Sequence, residues 1–197
     1  DGVVAEGAAP DFISRIDARA GGSNPTRSFL YFRFTDSGLE KKMLSDEDAF
    51  TSLDWDIAWR RYVLRLNSGV SGPSCVDGAR TAPNTDYTTL SRVPDNLLWR
   101  TEAYFTPPTP PATTCTSVEH PSGLSLSTAL SSWWEYPGCV KTTGNVYVVR
   151  TREGRYVKLE VTSYYTPAAQ VTCNTTGAMG AEAAIVRMRW SFIAPPP

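Results

Sequence analysis

Apolar and polar side chains alternate with a period of two along much of the chain. Between residues 53 and 59 the large apolar side chains fall on odd positions. Such alternation predicts a half-buried β-strand. From Tyr62 onward the large apolar residues fall on even positions instead. Because a side chain cannot change face within a regular strand, the Arg60-Arg61 pair predicts a bulge, a corner or a crossing between two layers.

The same pattern predicts further strands. Residues 146–151 and 156–164 flank a short turn that carries glycine, which predicts an antiparallel hairpin. Residues 184–192 alternate as a strand with one face in the core and one in water. Residues 28–34 predict an aromatic strand, and residues 45–50 predict one helical turn. Without a sustained apolar stripe at helical spacing, we expect one all-β domain of antiparallel sheets with little helix.

The rest of the chain predicts boundaries and loops. We expect residues 1–25 to form an N-terminal arm, residues 26–194 the β domain and residues 195–197 a proline tail. The stretch from 73 to 121 is rich in loop-forming residues, and within it only residues 96–105 have the composition of a strand.

Length and charge exclude several classes of protein. The 197 residues suffice for one domain with a substantial core. Nineteen basic and twenty acidic residues give a net charge of −1, without the row of cations that nucleic acid requires. No apolar run approaches the roughly 18 residues of a membrane span. The chain begins at Asp1 without features of a signal peptide or an anchoring cysteine, as expected of a processed or trimmed product.

Cysteine usage points to an oxidising compartment. The sequence has four widely spaced cysteines, Cys75, Cys115, Cys139 and Cys173. No Cys-x-x-Cys motif occurs and His120 is the single histidine, so we expect no zinc site. We expect two disulfides that tie long loops together, and all three possible pairings remain open. Disulfides place the protein outside the cytoplasm.

Candidate catalytic groups are few. Asp54 and Asp56 lie two residues apart, as an acid–base pair could. We favour structural acids beside Arg60 or Arg61, or a solvated face. Only His120 could act as a general base for a nucleophile, and no nucleophile motif accompanies it. We therefore expect a binding protein and not an enzyme.

Two motifs resemble a known family. The first is Trp-Asp-Ile-Ala at residues 55–58, followed by Arg-Tyr at 61–62, Arg-Leu-Asn at 65–67 and Gly-Ala at 78–79. The second is Asn-Val-Tyr-Val-Val-Arg with the strand that follows it, at residues 145–161. Together they resemble the HmuY family, secreted or lipid-anchored haem-binding proteins of Bacteroidetes and some other bacteria.

The resemblance implies haem as cofactor and suggests where the iron ligands belong. Members of the family coordinate iron with two histidines, and some relatives use methionines. One family ligand follows a Trp-x-Glu-aromatic segment, which here is residues 133–136, and the equivalent position falls at Gly138, which cannot ligate. The other lies in the preceding region, which contains His120. Tyr136 and Met179 are further candidate ligands for the haem iron.

Two functions remain open. In the first, the protein is a haemophore on the bacterial outer-membrane surface or in the medium, which passes haem to an outer-membrane receptor. In the second, the HmuY-like fold has lost its haem site and acts as a surface interaction protein. Its partners would then be another protein, a glycan or copies of itself, and exposed strand edges would be the route to self-assembly.

Overall fold

Twelve strands and two short helices form within residues 2–19, 28–102 and 128–197, the part of the chain that the computed structural model describes. The strands are β1 Val3–Ala5, β2 Phe12–Asp17, β3 Leu30–Thr35, β4 Gly38–Lys42, β5 Ile57–Arg60, β6 Val63–Leu66, β7 Asp77–Arg80, β8 Trp134–Glu135, β9 Lys141–Thr142, β10 Val146–Arg150, β11 Tyr156–Ser163 and β12 Ile185–Ile193. The helices are α1 Asp46–Ala49 and α2 Pro167–Thr176. The predicted all-β class is confirmed.

The larger sheet has six strands in the order β1-β2-β12-β11-β10-β7, and all its pairings are antiparallel. The predicted hairpin of β10 and β11 and the predicted strand β12 lie at its centre. Strand β7 was not predicted, because residues 73–121 show loop composition. Residues 3–17 of the predicted arm supply β1 and β2 to this sheet, whereas the division of the chain at residue 25 stays a prediction.

The smaller sheet has four antiparallel strands in the order β4-β3-β5-β6. Arg60 pairs with Val63, so residues 61 and 62 form a two-residue hairpin turn. The predicted bulge, corner or crossing at this place is therefore wrong. The parity of the apolar residues changes because the chain reverses direction. Arg61 has a φ of 52°, the positive value that turns suited to hairpins require at their first central position.

The main core lies between the two sheets. The smaller sheet contributes Ile57, Trp59, Leu64 and Leu66, and the larger sheet contributes apolar residues that include Trp190. The opposite face of the smaller sheet carries a second cluster, formed by Phe29, Tyr31, Ala49, Trp55, Ala58 and Val63. Trp55 was predicted to share a face with Ile57, but β5 begins only at Ile57 and Trp55 packs in the second cluster.

The two aspartates of the central motif have structural roles, which was one of the predicted alternatives. Asp54 forms ion pairs with Arg33 and Lys42. The Asp56 side chain is 2% exposed and accepts a hydrogen bond of 2.9 Å from the backbone N–H of Phe34. Burial raises the pKa of Asp56 to about 6. The predicted partners Arg60 and Arg61 are therefore not the observed ones.

Helix α2 was not predicted from the sequence. Its sequence is rich in threonine, so local propensity argues against a helix. The start and stop signals are nevertheless present, with Pro167 in the first turn and Gly177 at φ 74° after the last. The buried Gln170 side chain donates a hydrogen bond to the Val140 carbonyl and accepts one from the Tyr164 N–H, which fixes the helix against the sheet. No helix in the described ranges is long and apolar enough to cross a membrane.

A disulfide between Cys139 and Cys173 joins the β8–β9 connection to helix α2. The Cys139–Cys173 bridge is one of the disulfides that the sequence left open. Cys75 is exposed and forms no disulfide with another described residue. Cys115 lies outside the described residues, so the second predicted bridge stays a prediction.

Candidate functional site

Five aromatic side chains meet where the β5–β6 turn approaches strand β8 and the end of β11, and we call them the aromatic cluster. Its members are Trp59, Tyr62, Trp133, Trp134 and Tyr164. The ring centroids of Tyr62 lie 5.0 Å from Trp134 and 6.2 Å from Tyr164, and those of Trp59 and Trp133 are 5.6 Å apart. Trp59, Trp133 and Tyr164 are buried, whereas Tyr62 and Trp134 are half-buried. The cluster thus presents aromatic surface to solvent above a rigid base.

Local chain geometry places these rings. Tyr62 occupies the second position of the hairpin turn, where its side chain can reach beyond the edge of the sheet. Trp133 lies in the bend before strand β8 and is buried, whereas Trp134 begins the strand and is half-buried. The backbone N–H of Arg61 donates to the carbonyl of Ala18 at 2.8 Å, which ties the turn to the larger sheet.

Three buried polar atoms of this region have no hydrogen-bond partner among the described residues: Trp59 Nε1, Tyr164 Oη and Arg61 Nε. Leaving a buried donor or acceptor unpaired is unfavourable, and such groups are rare in folded proteins. Burial raises the pKa of the Tyr164 hydroxyl, and the nearby Arg61 charge acts in the opposite direction. Unpaired polar atoms beside aromatic rings suit an amphipathic ligand or bound water.

The structure brings two of the predicted site residues to neighbouring loops. Tyr136 follows strand β8 and is 57% exposed, and Met179 follows helix α2 and is 71% exposed. The two loops touch, because a Cβ added to Gly138 would lie 3.0 Å from the carbonyl oxygen of Gly177. The Cys139–Cys173 disulfide joins the same two segments. His120 lies outside the described residues.

The part of the chain that the structure describes contains no group of three or more His, Cys, Asp or Glu side chains that could hold a metal ion. Haem iron needs only one or two axial ligands from the protein, because the porphyrin supplies the other four. Of the predicted ligands, the described residues Tyr136 and Met179 offer an exposed hydroxyl and an exposed thioether on the two adjoining loops.

Glu102 is a buried acid that the sequence analysis did not single out. Its side chain is 3% exposed, and Oε1 accepts hydrogen bonds from the N–H groups of Leu66 at 2.9 Å and Ala129 at 3.3 Å. Oε2 has no partner among the described residues. Burial raises the pKa of Glu102 to about 8. The only signal in the sequence was an isolated acid in an apolar segment, which does not distinguish burial from exposure.

The family assignment follows from comparison with known proteins. The family model of the HmuY protein matches residues 26–177, which is more than half of the chain. The chain belongs to the HmuY family. The span matched to HmuY includes Tyr136, Gly138 and His120, whereas Met179 lies just beyond it. No curated protein sequence matches the chain.

Three solved structures resemble this chain over nearly its whole length. A candidate lipoprotein from Bacteroides fragilis has a TM-score of 0.58 at 16% identity, covering 99% of this chain and 96% of its own. A candidate HmuY-like haem-binding protein from Bacteroides vulgatus has a TM-score of 0.56 at 16% identity and covers 96% of each chain. The apo HmuY analogue of Tannerella forsythia has a TM-score of 0.51 at 13% identity, covering 100% and 98%. At these identities the likeness shows the fold alone.

Replacing Glu102 by glutamine should change how stability depends on pH. The folded-state pKa of about 8 lies above the unfolded value of 4.5, so the carboxyl stabilises the fold below that unfolded value. This stability is lost as pH rises through 8. Between pH 6 and 8 we expect the wild type to lose on the order of 2 kcal/mol more unfolding free energy than Glu102→Gln.

Urea denaturation at several pH values measures the difference. The control Glu47→Gln, at an exposed site, should show the same change of unfolding free energy with pH as the wild type. The same change in Glu102→Gln would contradict the raised pKa of Glu102.

Proposed function

We propose that this HmuY-family protein binds haem at the aromatic cluster and does so outside the cell or on the bacterial outer-membrane surface. The observation that carries the proposal is the combination of half-buried rings at Tyr62 and Trp134 with an exposed hydroxyl and thioether on adjoining loops. One of the fold neighbours is named as a HmuY-like haem-binding protein and another as a lipoprotein, which supports both the ligand and the location.

The residues of the cluster fit the chemistry of haem. A porphyrin is a flat apolar disc with two carboxylates at one edge, so it requires aromatic or apolar walls and nearby cations. Tyr62 and Trp134 offer exposed ring surface, and Arg61 lies with its guanidinium 6.0 Å from the Tyr62 ring centroid. We expect Arg61 to contact a propionate through its terminal guanidinium nitrogens, because its half-buried side chain forms no ion pair with a described carboxylate.

We propose iron ligands other than the usual pair of histidines, because the family resemblance implies that one of the two ligand positions falls at Gly138, which has no side chain to offer. We propose His120 as one ligand and Tyr136 or Met179 as the second. A phenolate oxygen favours ferric iron, whereas a thioether favours the ferrous state, so the second ligand would set the reduction potential.

In this proposal the protein acts by capture and release and performs no catalysis. A haemophore must hold haem apart from water and then surrender it to a receptor. The half-buried position of the cluster suits that task, because one edge of the ligand would stay accessible. We propose transfer to an outer-membrane receptor as the following step.

A haemin titration tests the proposal. We expect a saturable change in the Soret band at one equivalent for the wild type, in both the ferric and ferrous states. Removing an axial ligand in His120→Ala, and in either Tyr136→Phe or Met179→Leu, should weaken binding about tenfold or more and shift the band. Met43→Leu is the matched control, since Met43 is 86% exposed at a distant position in the sequence. A Soret response no larger than that of an unrelated β-protein would overturn the proposal.

Arg61→Gly should separate stability from binding. A positive φ is unfavourable for arginine and free of strain for glycine, so we expect a thermal midpoint equal to or above that of the wild type. Haemin affinity should fall severalfold because the propionate partner is lost. Arg152→Gly, in the exposed β10–β11 turn, is the control and should leave haemin affinity unchanged. An Arg61→Gly protein with wild-type affinity would remove Arg61 from the site.

The alternative function is a surface interaction protein without haem. Strand β1 lies at an edge of the larger sheet, and its Val4 side chain is 51% exposed, as strand addition by a second chain would require. Concentration-dependent growth in mass by light scattering, together with no Soret response, would favour this function.

A further inference from the structure

A concave site lies beside residues 129–132, next to the start of the segment that carries Trp133. It is a cleft of about 180 Å³. The described residues that line it are Arg80, Leu98, Arg100, Ala129, Ser131 and Ser132. None of the five aromatic-cluster residues is among them.

The backbone holds the cleft in shape. Arg100 and Gly78 exchange two hydrogen bonds, of 2.9 and 3.0 Å, which fix the segment around residue 100 beside strand β7. Gly78 also allows Leu130, between the lining residues Ala129 and Ser131, to pack against strand β7. A Cβ at Gly78 would lie only 2.6 Å from the Leu130 side chain. The two sides of the cleft are thus anchored to the same strand.

The serine wall is equally fixed. Ser132 adopts a φ of 70°, and its carbonyl accepts hydrogen bonds from Thr143 Oγ1 at 2.8 Å and Asn145 Nδ2 at 2.7 Å. The carbonyl of Ser131 accepts one from Tyr147 Oη at 2.7 Å. The hydroxyl groups of both serines make no hydrogen bond to another described residue, so they can donate to a ligand.

Neither arginine of the cleft is neutralised by an acidic partner among the described residues, as is also the case for Arg61 and Arg152. Arg33, Arg150 and Arg187 each pair with a carboxylate. Within the described ranges Arg80 and Arg100 contact none, and both are exposed. Two guanidinium groups on one cleft attract an anion, which each can hold through two parallel N–H donors. Leu98, 68% exposed, adds an apolar wall beside them.

We infer that this cleft binds a small organic anion, with one carboxylate or phosphate group held by Arg80 and Arg100 and a short apolar body against Leu98. This inference does not depend on haem binding. It gives the protein a second ligand site with a different chemistry.

Calorimetric titration with hexanoate tests the inference, with acetate, hexanol and inorganic phosphate as comparison ligands. We expect saturable binding of hexanoate, weaker binding of acetate and none of hexanol. Phosphate binding tighter than that of acetate would assign the polar end to a phosphate group, and the reverse order would assign it to a carboxylate. Arg80→Gln and Arg100→Gln should each weaken hexanoate binding about tenfold. Arg152→Gln, an exposed arginine in the β10–β11 turn, is the control and should bind like the wild type.

Three results would overturn the inference: no saturable hexanoate binding, equal binding of hexanol, or unchanged affinity in both cleft variants. Because glutamine keeps hydrogen-bonding capacity at exposed positions, the variants should retain the wild-type thermal midpoint. Haemin binding is measured in the same variants. We expect it to be unchanged, so failure at either site can be distinguished from failure at the other.

Discussion

The reversal of the chain at Arg61 and Tyr62 is the constraint on which the candidate site depends. The turn sends Trp59 into the core between the sheets and leaves Tyr62 at the sheet edge, only 5.0 Å from Trp134. Arg61 adopts a positive φ that glycine would adopt without strain. Strained backbone conformations are found preferentially at functional sites, and this motivates the role that we propose for the Arg61 side chain. The same turn therefore closes the smaller sheet and forms one wall of the aromatic cluster.

The opposite wall is held by covalent and polar contacts because it has little regular structure of its own. Strands β8 and β9 have two residues each, and the loop between them would be poorly constrained alone. The Cys139–Cys173 disulfide and the buried Gln170 attach this loop to helix α2. A rigid base with exposed loops above it suits a protein that must hold a ligand and then release it. Stability resides in the sheets, whereas the proposed ligand groups lie where side-chain packing is sparse.

Much of the fold could be predicted from the sequence, because period-two alternation reports directly on strands with one buried face. The β10–β11 hairpin and β12 follow from it, and the pairing of β10 with β11 could be inferred from the short turn between them. Helix α2 could not be predicted by periodicity, because its threonine-rich sequence is held by a disulfide and Gln170 and not by an apolar stripe. The candidate site was predicted only in part. Tyr136 came from a family resemblance, whereas the contact between Tyr62 and Trp134 joins residues 72 positions apart and depends on tertiary packing.

The central claim is that haem occupies the aromatic cluster, and mapping a diamagnetic analogue onto the protein tests it most directly. Adding one equivalent of gallium protoporphyrin to ¹⁵N-labelled protein should shift the indole N–H signals of Trp59, Trp133 and Trp134 and the amides of the β5–β6 turn. The indole signals of Trp55 and Trp190, which lie outside the aromatic cluster, should stay in place. Shifts centred on the cleft of Arg80 and Arg100 or on a sheet edge, or no saturable shift at all, would contradict the account.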